Sequence, residues 1–271
     1  MTGTDTADSR SLPARIRRDR LLTMLREQEF LRVSELAQFF EVSEVTVRAD
    51  LDALEQRGQL RRVRGGAVPR AIAPAERRFE EAEVAAAAQT RAIGHAAAAL
   101  IEDGDTLILD VGTTTTAVAQ ALADRFDITD VTVFTSSLTI ALALERADPR
   151  VTVIITGGTL RPKQHSLVEP LAGLVLGSIN ARKAFIGCNG VDVDRGITNV
   201  NLPETEIKRL VLTASQERIV CADSTKLGQV ALAHVCSLEE IDLLITDDGA
   251  DPELLAALRN IGMAVEVVAS E

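Results

Sequence analysis

From residue 106 onward, short apolar runs rich in β-branched residues alternate with segments of helical period. The apolar runs are TLILDV, VTVF, VTVII, KAFIGC, RIVCAD, DLLIT and AVEVV, and segments such as AVAQALADRF, LTIALALERA, ETEIKRLVLTAS and PELLAALRNI lie between most of them. This alternation is typical of a mostly parallel sheet covered by helices on both faces. The pattern therefore predicts an α/β domain in the second part of the chain.

Polar loops follow several of the predicted strands. Ligands of parallel sheets bind beyond the carboxyl ends of the strands. In DVGTTTTAVA, Gly112 allows a sharp turn, and the threonines after it offer hydroxyl and N–H groups at a helix start, where anions bind. No GKT or GKS follows, so this loop is not a P-loop. TSSLT, TGGTLRPK and CADSTKLG carry comparable groups.

The candidate ligand residues of these four loops are small, hydroxylated or charged. They are Gly112, Thr113, Thr114, Thr115, Thr116, Ser136, Ser137, Gly157, Gly158, Arg161, Lys163, Asp223 and Lys226. Any one loop is equally well explained by ordinary helix capping. Together they favour a site for a small phosphorylated ligand.

Charge is unevenly distributed along the chain. The whole sequence has a net charge of −11, which should repel nucleic acid. Residues 1–70 nevertheless carry 13 arginines against 11 acidic residues, whereas residues 71–271 carry 16 basic against 29 acidic residues. This asymmetry indicates one end that faces nucleic acid and another that need not touch it.

Residues 14–58 read as a series of short helices. The periodicity of RIRRDRLLTMLREQEF predicts a helix over residues 14–28. Ser34 is the predicted N-cap of a second helix, and Ser43 that of a third, which runs from residue 44 to about 57 and ends at Gly58. Two short helices joined so closely predict a helix-turn-helix, whose second helix lies in the major groove.

The predicted recognition helix has an apolar stripe of Val47, Leu51 and Leu54, which should face inward. The residues then left facing outward near its start are Glu44, Val45, Arg48 and Ala49, positioned for base edges, and Ser43 and Thr46, whose hydroxyls suit phosphate oxygens. These six residues are the predicted contacts of the helix with double-stranded DNA.

The segment QLRRVRGGAVP alternates basic and apolar residues and predicts a β-hairpin wing. Arg61, Arg62 and Arg64 would be available to the DNA backbone or the minor groove. Their local charge governs contact within a Debye length of roughly 8 Å, beyond which the acidic remainder is screened. A capped helix pair alone also occurs in proteins that never bind DNA, but the arginines and the charge asymmetry favour DNA binding.

The motifs resemble one known family. Within residues 18–69, VSELAQFFEVSEVTVRADLDALEQRGQLRRVRGGAV resembles the winged helix-turn-helix of the DeoR family of bacterial transcriptional regulators. After residue 90, DGDTLILDVGTTTT, TSSLTIALAL, TGGTLRP, AFIGCNGVD and ADSTKLG resemble the effector-sensing domain of the same family. The resemblance implies a sensing domain with a fold similar to ribose-5-phosphate isomerase and a phosphorylated sugar or related metabolite as effector.

The resemblance also implies which residues hold the effector. They are Asp110, Gly112, Thr113, Thr114, Thr115, Ser137, Gly158 and Lys226, with Glu204 and Lys208 expected to line the same cleft. The expected function is that of a repressor whose operator affinity responds to the effector. A dimer or tetramer is expected, since helix-turn-helix proteins usually read two half-sites.

A sugar-phosphate isomerase with an accessory DNA-binding domain is the alternative. Such an enzyme needs an acid and a base near the sugar carbons, and the isomerases typically have GADE followed by a KGGG run. Here the stretch is GCNGVD, Asn189 replaces the first aspartate, and no KGGG follows. An amide cannot abstract a proton, so we predict a protein that is not an enzyme. A third possibility is a protein that binds DNA constitutively.

The remaining features set the domain limits and the context. Residues 1–13 are predicted to be a disordered tail, 14–70 the winged helix-turn-helix, 71–90 a linker and the start of a connecting helix, and 91–271 the α/β domain; GAVPRAIAPA (66–75) has linker composition. The three cysteines lie in or beside apolar runs without CxxC spacing, which predicts reduced thiols and neither metal nor cofactor. The polar start and the lack of a long apolar run predict a cytoplasmic protein without membrane contact.

Overall fold

The computed structural model describes residues 12–27, 30–56, 59–63, 65–69 and 76–270. The chain divides into two compact units, Met1–Ala71 and Ile72–Glu271. Gly58, Arg64 and the side chain of Arg61 lie outside the described part, as do residues 70–75 and nearly all of the predicted tail.

The N-terminal unit combines helices with a small antiparallel sheet. In chain order its elements are α1 (Ala14–Glu27), β1 (Leu31–Arg32), α2 (Val33–Phe39), α3 (Glu44–Gln56), β2 (Leu60–Val63) and β3 (Gly66–Pro69). The strand order is β1-β3-β2, and β2 and β3 form the predicted hairpin. The prediction that residues 66–69 begin a linker is wrong, because their backbone pairs with both neighbouring strands.

The N-terminal ends of α2 and α3 are capped in different ways. Ser34 does not cap α2: the helix begins at Val33, directly after β1, and the Val33 N–H donates to the Gly65 carbonyl at 2.9 Å. A backbone oxygen of the wing turn therefore takes the place of the predicted serine cap. Ser43 does cap α3, since its Oγ accepts the Thr46 N–H at 3.1 Å.

The recognition helix is fixed by apolar packing and by one buried carboxylate. The predicted stripe of α3 is buried together with side chains of the other helices: Val47, Leu51 and Leu54 pack with Leu21, Leu25, Leu36 and Phe40. Asp50, only 2% exposed, accepts hydrogen bonds from Arg17 and, at 2.8 Å, from Arg18. Both arginines lie on α1, so these ion pairs tie α1 to α3.

The second unit begins with two helices and continues as an α/β fold. Its first elements are α4 (Phe79–Ala85), α5 (Ala87–Ala99), β4 (Thr106–Leu109), α6 (Thr113–Ala123), β5 (Val131–Thr135), α7 (Leu138–Leu144), β6 (Val151–Ile155), β7 (Thr159–Arg161), β8 (Ser166–Val168) and α8 (Leu171–Leu176). The others are β9 (Ala181–Ile186), β10 (Gly190–Asp192), β11 (Gly196–Asn199), α9 (Leu202–Thr213), β12 (Ser215–Cys221), β13 (Ala233–Cys236), β14 (Leu243–Asp247), α10 (Pro252–Asn260) and β15 (Val265–Val268). None of the described helices is long and apolar enough to cross a membrane.

One seven-stranded parallel sheet forms the centre of this unit, with the order β15-β14-β12-β9-β4-β5-β6. Its strands coincide with the seven predicted runs, so the predicted parallel sheet is confirmed. Side chains of β4 alternate between two cores: Leu107 and Leu109 join α5, α6 and α7, whereas Ile108 joins α8, α9 and α10. Helices therefore cover both faces.

Shorter strands of the described part were not predicted. β10, β11 and β13 form an antiparallel sheet, and β7 and β8 form a hairpin. Each has three or four residues, too few to show a period. Gly157 and Gly158 stand between β6 and β7 with φ of 72° and 127°, a region that other residues rarely adopt. These two glycines let the chain turn into the hairpin.

A buried ion pair joins β9 to the residue that precedes β4. Asp105, 1% exposed, accepts hydrogen bonds from Lys183 Nζ at 2.9 Å and from the Glu102 N–H at 3.0 Å. Lys183 is 5% exposed and also donates to the Leu100 carbonyl at 2.7 Å. Each charge needs the other, because the surrounding protein solvates an isolated ion poorly.

We expect Asp105→Asn to lower the free energy of unfolding by about 3–5 kcal/mol, because Lys183 would lose its buried counter-ion. The control is Asp124→Asn, which removes an exposed pair with Arg146 (2.9 Å) and should cost less than about 1 kcal/mol. Urea unfolding followed by circular dichroism measures both losses. Equal losses in the two variants would contradict this account of the buried pair.

Candidate functional site

The outer face of α3 carries the residues predicted to contact DNA. The side chains of Ser43, Glu44, Val45, Arg48 and Ala49 are exposed, and that of Thr46 is half-buried. Arg48 Nη2 donates to Glu44 Oε2, one helical turn earlier, at 2.7 Å. An exposed pair of this kind contributes little energy, so Arg48 can exchange it for a base or a phosphate.

Arg62 of the wing contacts the recognition helix. Its guanidinium donates to the Asp52 carboxylate and, at 3.2 Å, to the Arg48 carbonyl, both on α3. Its backbone N–H donates to Glu55 Oε1 at 2.5 Å, also on α3. The side chain predicted to be available to DNA is therefore engaged in holding β2 against the recognition helix.

A cavity of about 320 Å³ opens at the carboxyl ends of β4, β9 and β12, which are neighbours in the sheet. Seven predicted effector residues line it: Gly112, Thr113, Thr114, Glu204, Lys208, Asp223 and Lys226. The loops that leave adjacent parallel strands thus bring together residues more than 100 positions apart in the sequence.

The loop after β4 presents a helix start to the cavity. Gly112 has a φ of 143°, which requires glycine, and α6 begins at the next residue. The Gly112 carbonyl accepts the hydroxyls of Thr115 (3.1 Å) and Thr116 (2.7 Å). These inward bonds leave Thr113 and Thr114 as the threonines that line the cavity. N–H groups in the first turn of a helix have no partner within the helix and attract anions.

A buried ion pair lies beneath the same wall. Asp110, 1% exposed, accepts hydrogen bonds from Lys208 of α9 and, at 3.1 Å, from the Gly187 N–H. Burial raises the pKa of Asp110, and the attraction of Lys208 offsets this only in part. Lys208 reaches the cavity, but Asp110 already neutralises its charge.

Lys226 forms a longer ion pair, with Asp223, than Lys208 forms with Asp110. It ends a short 3₁₀ turn, is one-third exposed, and its Nζ lies 3.8 Å from Asp223 Oδ2. Asp223 also accepts the Thr225 N–H at 3.0 Å. A ligand phosphate can therefore draw on Lys226 without breaking a short ion pair.

Several predicted effector residues lie outside the cavity lining: Asp110, Thr115, Ser136, Ser137, Gly157, Gly158 and Lys163. Ser137 caps α7, since its Oγ accepts the Ile140 N–H at 3.3 Å. The Ser136 carbonyl accepts the Leu167 N–H at 2.7 Å. For TSSLT, the ordinary capping role that the sequence left open describes the observed contacts.

Other residues of the lining were not predicted: Glu76, Arg77, Gln164, Cys188, Asn189, Asn199, Thr225 and Gln229, together with alanines of α4 and of the turn that follows it. Glu76 and Arg77 precede α4, far from the strand ends in sequence, and no local pattern indicates that they reach the cavity. Asn189 carried a usable signal, because it directly follows a predicted strand.

Two family models match the chain, one in each of its two units. The model of the DeoR-like helix-turn-helix domain matches residues 17–70, and the model of the DeoR C terminal sensor domain matches residues 85–248. The chain belongs to the DeoR family. Its exposed recognition helix lies in the family's helix-turn-helix domain, and the cavity lies largely in the family's sensor domain. Glu76, Arg77 and Ala82 of the cavity fall between the two matched ranges.

Relatives of this DeoR-family chain are named as transcriptional regulators or repressors, and the similarity extends over most of their length. The HTH-type transcriptional regulator YulB of Bacillus subtilis is 35% identical over 93% of this chain and 96% of its own. The HTH-type transcriptional regulator GlpR of Haloferax volcanii is 34% identical over 94% and 97%. The transcriptional repressor AccR of Agrobacterium fabrum is 31% identical over 86% and 87%. These relatives and the family confirm a helix-turn-helix regulator with a sensor domain, and not an enzyme.

Solved structures give only a distant likeness to this DeoR-family protein. The ribose 5-phosphate isomerase A of Methanocaldococcus jannaschii has a TM-score of 0.38 and 16% identity over 51% of this chain and 53% of its own.

Cys221 and Cys236 are buried, and Cys188 is half-buried. Burial raises the pKa of Cys188 and of Cys236 to about 12, and it also raises the pKa of Cys221. Within the described residues, no three His, Cys, Asp or Glu side chains are grouped to hold a metal ion. Cys188 lines the cavity, so its thiol contributes a neutral, weakly polar surface there.

We expect the native thiols to resist iodoacetamide at pH 8. A thiol with a pKa of about 12 holds only about one thiolate in 10,000 molecules at that pH, and only the thiolate reacts quickly. Mass spectrometry of the alkylated native protein, compared with protein unfolded in guanidinium, measures the difference. Rapid alkylation of native Cys188 at pH 8 would contradict its raised pKa.

Proposed function

We propose that this protein is a transcriptional repressor that binds a double-stranded DNA operator and changes its operator affinity when a phosphorylated sugar or related metabolite enters the cavity. The observation that carries the proposal is the convergence of the α6 start and Lys226 on one cavity, in a chain whose other unit presents a recognition helix. Differential affinity of the effector for two states of the protein would set the size of the response.

The DNA-binding half of the proposal rests on local geometry. The first turn of α3 offers exposed side chains, the Ser43 hydroxyl and a positive helix end to the major groove. Arg48 can bind guanine O6 and N7 with two hydrogen bonds or grip a phosphate. Counter-ion release then favours association although the chain carries a net charge of −11.

The sensing half rests on the polarity of the cavity. A phosphate group suits the first-turn N–H groups of Thr113 and Thr114 and the ammonium of Lys226. Sugar hydroxyls suit the amides of Asn189 and Asn199 and the carboxylate of Asp223. Charges of both signs thus favour a ligand that is anionic at one end and rich in hydroxyls elsewhere.

The proposal extends to assembly and location. A homodimer or tetramer would present two recognition helices to two half-sites of an operator. The acidic second unit is the natural place for subunit contacts, because it would repel DNA. We place the protein in the cytoplasm, where both DNA and phosphorylated metabolites are available.

We expect Arg48→Ala to weaken operator binding by about 1–3 kcal/mol if Arg48 reads a base. An operator fragment is first selected from a library of random duplexes with the full chain, and fluorescence anisotropy then gives its Kd at fixed salt. Arg91→Ala is the control, since it removes an exposed arginine from the other unit. Unchanged operator affinity in Arg48→Ala would remove this residue from the DNA contacts.

We expect Lys226→Ala to keep operator affinity and to lose the response to ribose 5-phosphate, glucose 6-phosphate or glycerol 3-phosphate, because the phosphate would lose its mobile cation. Anisotropy titrations with and without each metabolite measure the response. Arg195→Ala, an exposed substitution in the same unit, should respond normally. A wild type that responds to no metabolite would leave only constitutive DNA binding, and turnover of a sugar phosphate would favour the isomerase alternative.

A further inference from the structure

Beside the cavity, several hydrogen-bond donors converge on the carboxylate of Glu76. Arg161 Nη2 donates to both oxygens of Glu76, at 3.1 and 3.0 Å, and Asn201 Nδ2 donates to Oε1 at 3.1 Å. Lys163 Nζ lies 3.8 Å from Glu76 Oε2. The Glu76 side chain is only 14% exposed. Two cations and an amide converging on one carboxylate form the kind of donor set that binds the phosphate or carboxylate of a ligand.

This donor set does not depend on Glu76 for its position. Arg161 Nη1 donates to Glu204, which is 6% exposed and also accepts the Ser166 hydroxyl at 2.7 Å. The other Glu204 oxygen accepts Asn201 Nδ2 at 3.0 Å. If Glu76 withdrew, Arg161 and Asn201 would keep their places, with donors ready for another anion.

A ligand in the cavity can reach this position, because Glu76 and Glu204 both line the cavity wall. The cavity also holds the anion site proposed at the start of α6. One metabolite with two anionic groups can therefore use both positions. The second group would exchange with Glu76, a charged side chain that already satisfies the donors.

Glu76 also occupies a special place along the chain. It lies five positions after Ala71, where the N-terminal unit ends. The residues that follow it are fastened to the turn between β7 and β8 by polar contacts: Phe79 N–H to the Lys163 carbonyl (3.0 Å), Gln164 Nε2 to the Arg77 carbonyl (2.7 Å) and His165 Nε2 to Glu80 Oε1 (2.9 Å). We name residues 76–80 the strap. The strap thus contributes to the wall of the cavity, and in the sequence it follows closely on the DNA-binding unit.

We propose that Glu76 occupies a second anion subsite beside the cavity, that the second anionic group of the effector displaces it, and that the released strap carries this change to the DNA-binding unit. The effector would be a small metabolite with a phosphate and a further phosphate or carboxylate group. This inference rests on the proposed effector response and adds to it the ligand class and the residue through which the response begins.

The test compares Glu76→Gln with wild type in the full chain, using the selected operator fragment. The probes are ribose 5-phosphate, with one anionic group, and 6-phosphogluconate and fructose 1,6-bisphosphate, with a second group that is a carboxylate or a phosphate. Without any probe, the operator affinity of Glu76→Gln should equal that of wild type saturated with whichever doubly anionic probe it binds more tightly. Calorimetry should show that Kd for this probe falls about tenfold in the variant, since the internal competitor is weakened, while Kd for ribose 5-phosphate changes little.

Two further variants isolate the cause. Glu83→Gln makes the same change at an exposed position of α4 and should behave as wild type. Glu76→Asp keeps the negative charge but shortens the side chain, so its operator affinity should lie between those of wild type and Glu76→Gln, which separates loss of charge from loosening of the fold. Thermal melts establish that each variant is folded.

The outcomes are distinct. If wild type responds to a probe but Glu76→Gln has wild-type operator affinity and wild-type probe affinities, the inference is overturned and the proposed function stands. If ribose 5-phosphate binds and acts as strongly as both doubly anionic probes, the second subsite is overturned. A wild type that responds to no probe overturns the proposed function and the inference together.

Discussion

Three neighbouring parallel strands, β4, β9 and β12, end at the same edge of the sheet, and the proposed sensing site depends on this shared edge. Each strand delivers a different group there: a glycine turn with a helix start, an amide-bearing loop, and a turn with an aspartate and a lysine. None of these loops could enclose a ligand by itself. The hydrogen-bond register of the sheet sets their separation, and the apolar cores on its two faces hold the sheet in place.

Cations near both candidate sites are held by carboxylates of the chain itself. Arg48 pairs with Glu44 on the DNA-facing helix, and Lys208 pairs with Asp110 beneath the cavity. At these two cations, the binding of an anionic ligand would therefore exchange one partner for another rather than capture an anion with a bare cation. The affinity gained is the difference between the two pairings, which is small for an exposed pair and large where a buried partner would be abandoned.

Local sequence patterns predicted the elements and the general position of the site, but not all of its members. The seven strands of the sheet are short apolar runs that become buried on both faces, and the buried stripe of α3 follows the helical period, so both patterns can be read locally in the sequence. The cap of α2 was mispredicted because its oxygen comes from Gly65, more than 30 residues away. Glu76 was not predicted as a site residue for the same reason, because its partners Arg161 and Asn201 are brought to it only by the assembled fold.

The difference in burial between the ion pairs indicates which of them can take part in regulation. Asp110 and Lys208 are almost fully buried, and separating them would leave two charges in a medium that solvates neither. Glu76 is 14% exposed and begins the strap, whose polar contacts involve backbone groups and side chains near the surface, while Phe79 is buried beside the His165 ring. A carboxylate there can move into water while Glu204 continues to neutralise Arg161. A two-state response requires a group whose alternatives lie close in free energy, and the less buried pairs of Glu76 suit this proposed role better than the fully buried pair of Asp110 and Lys208.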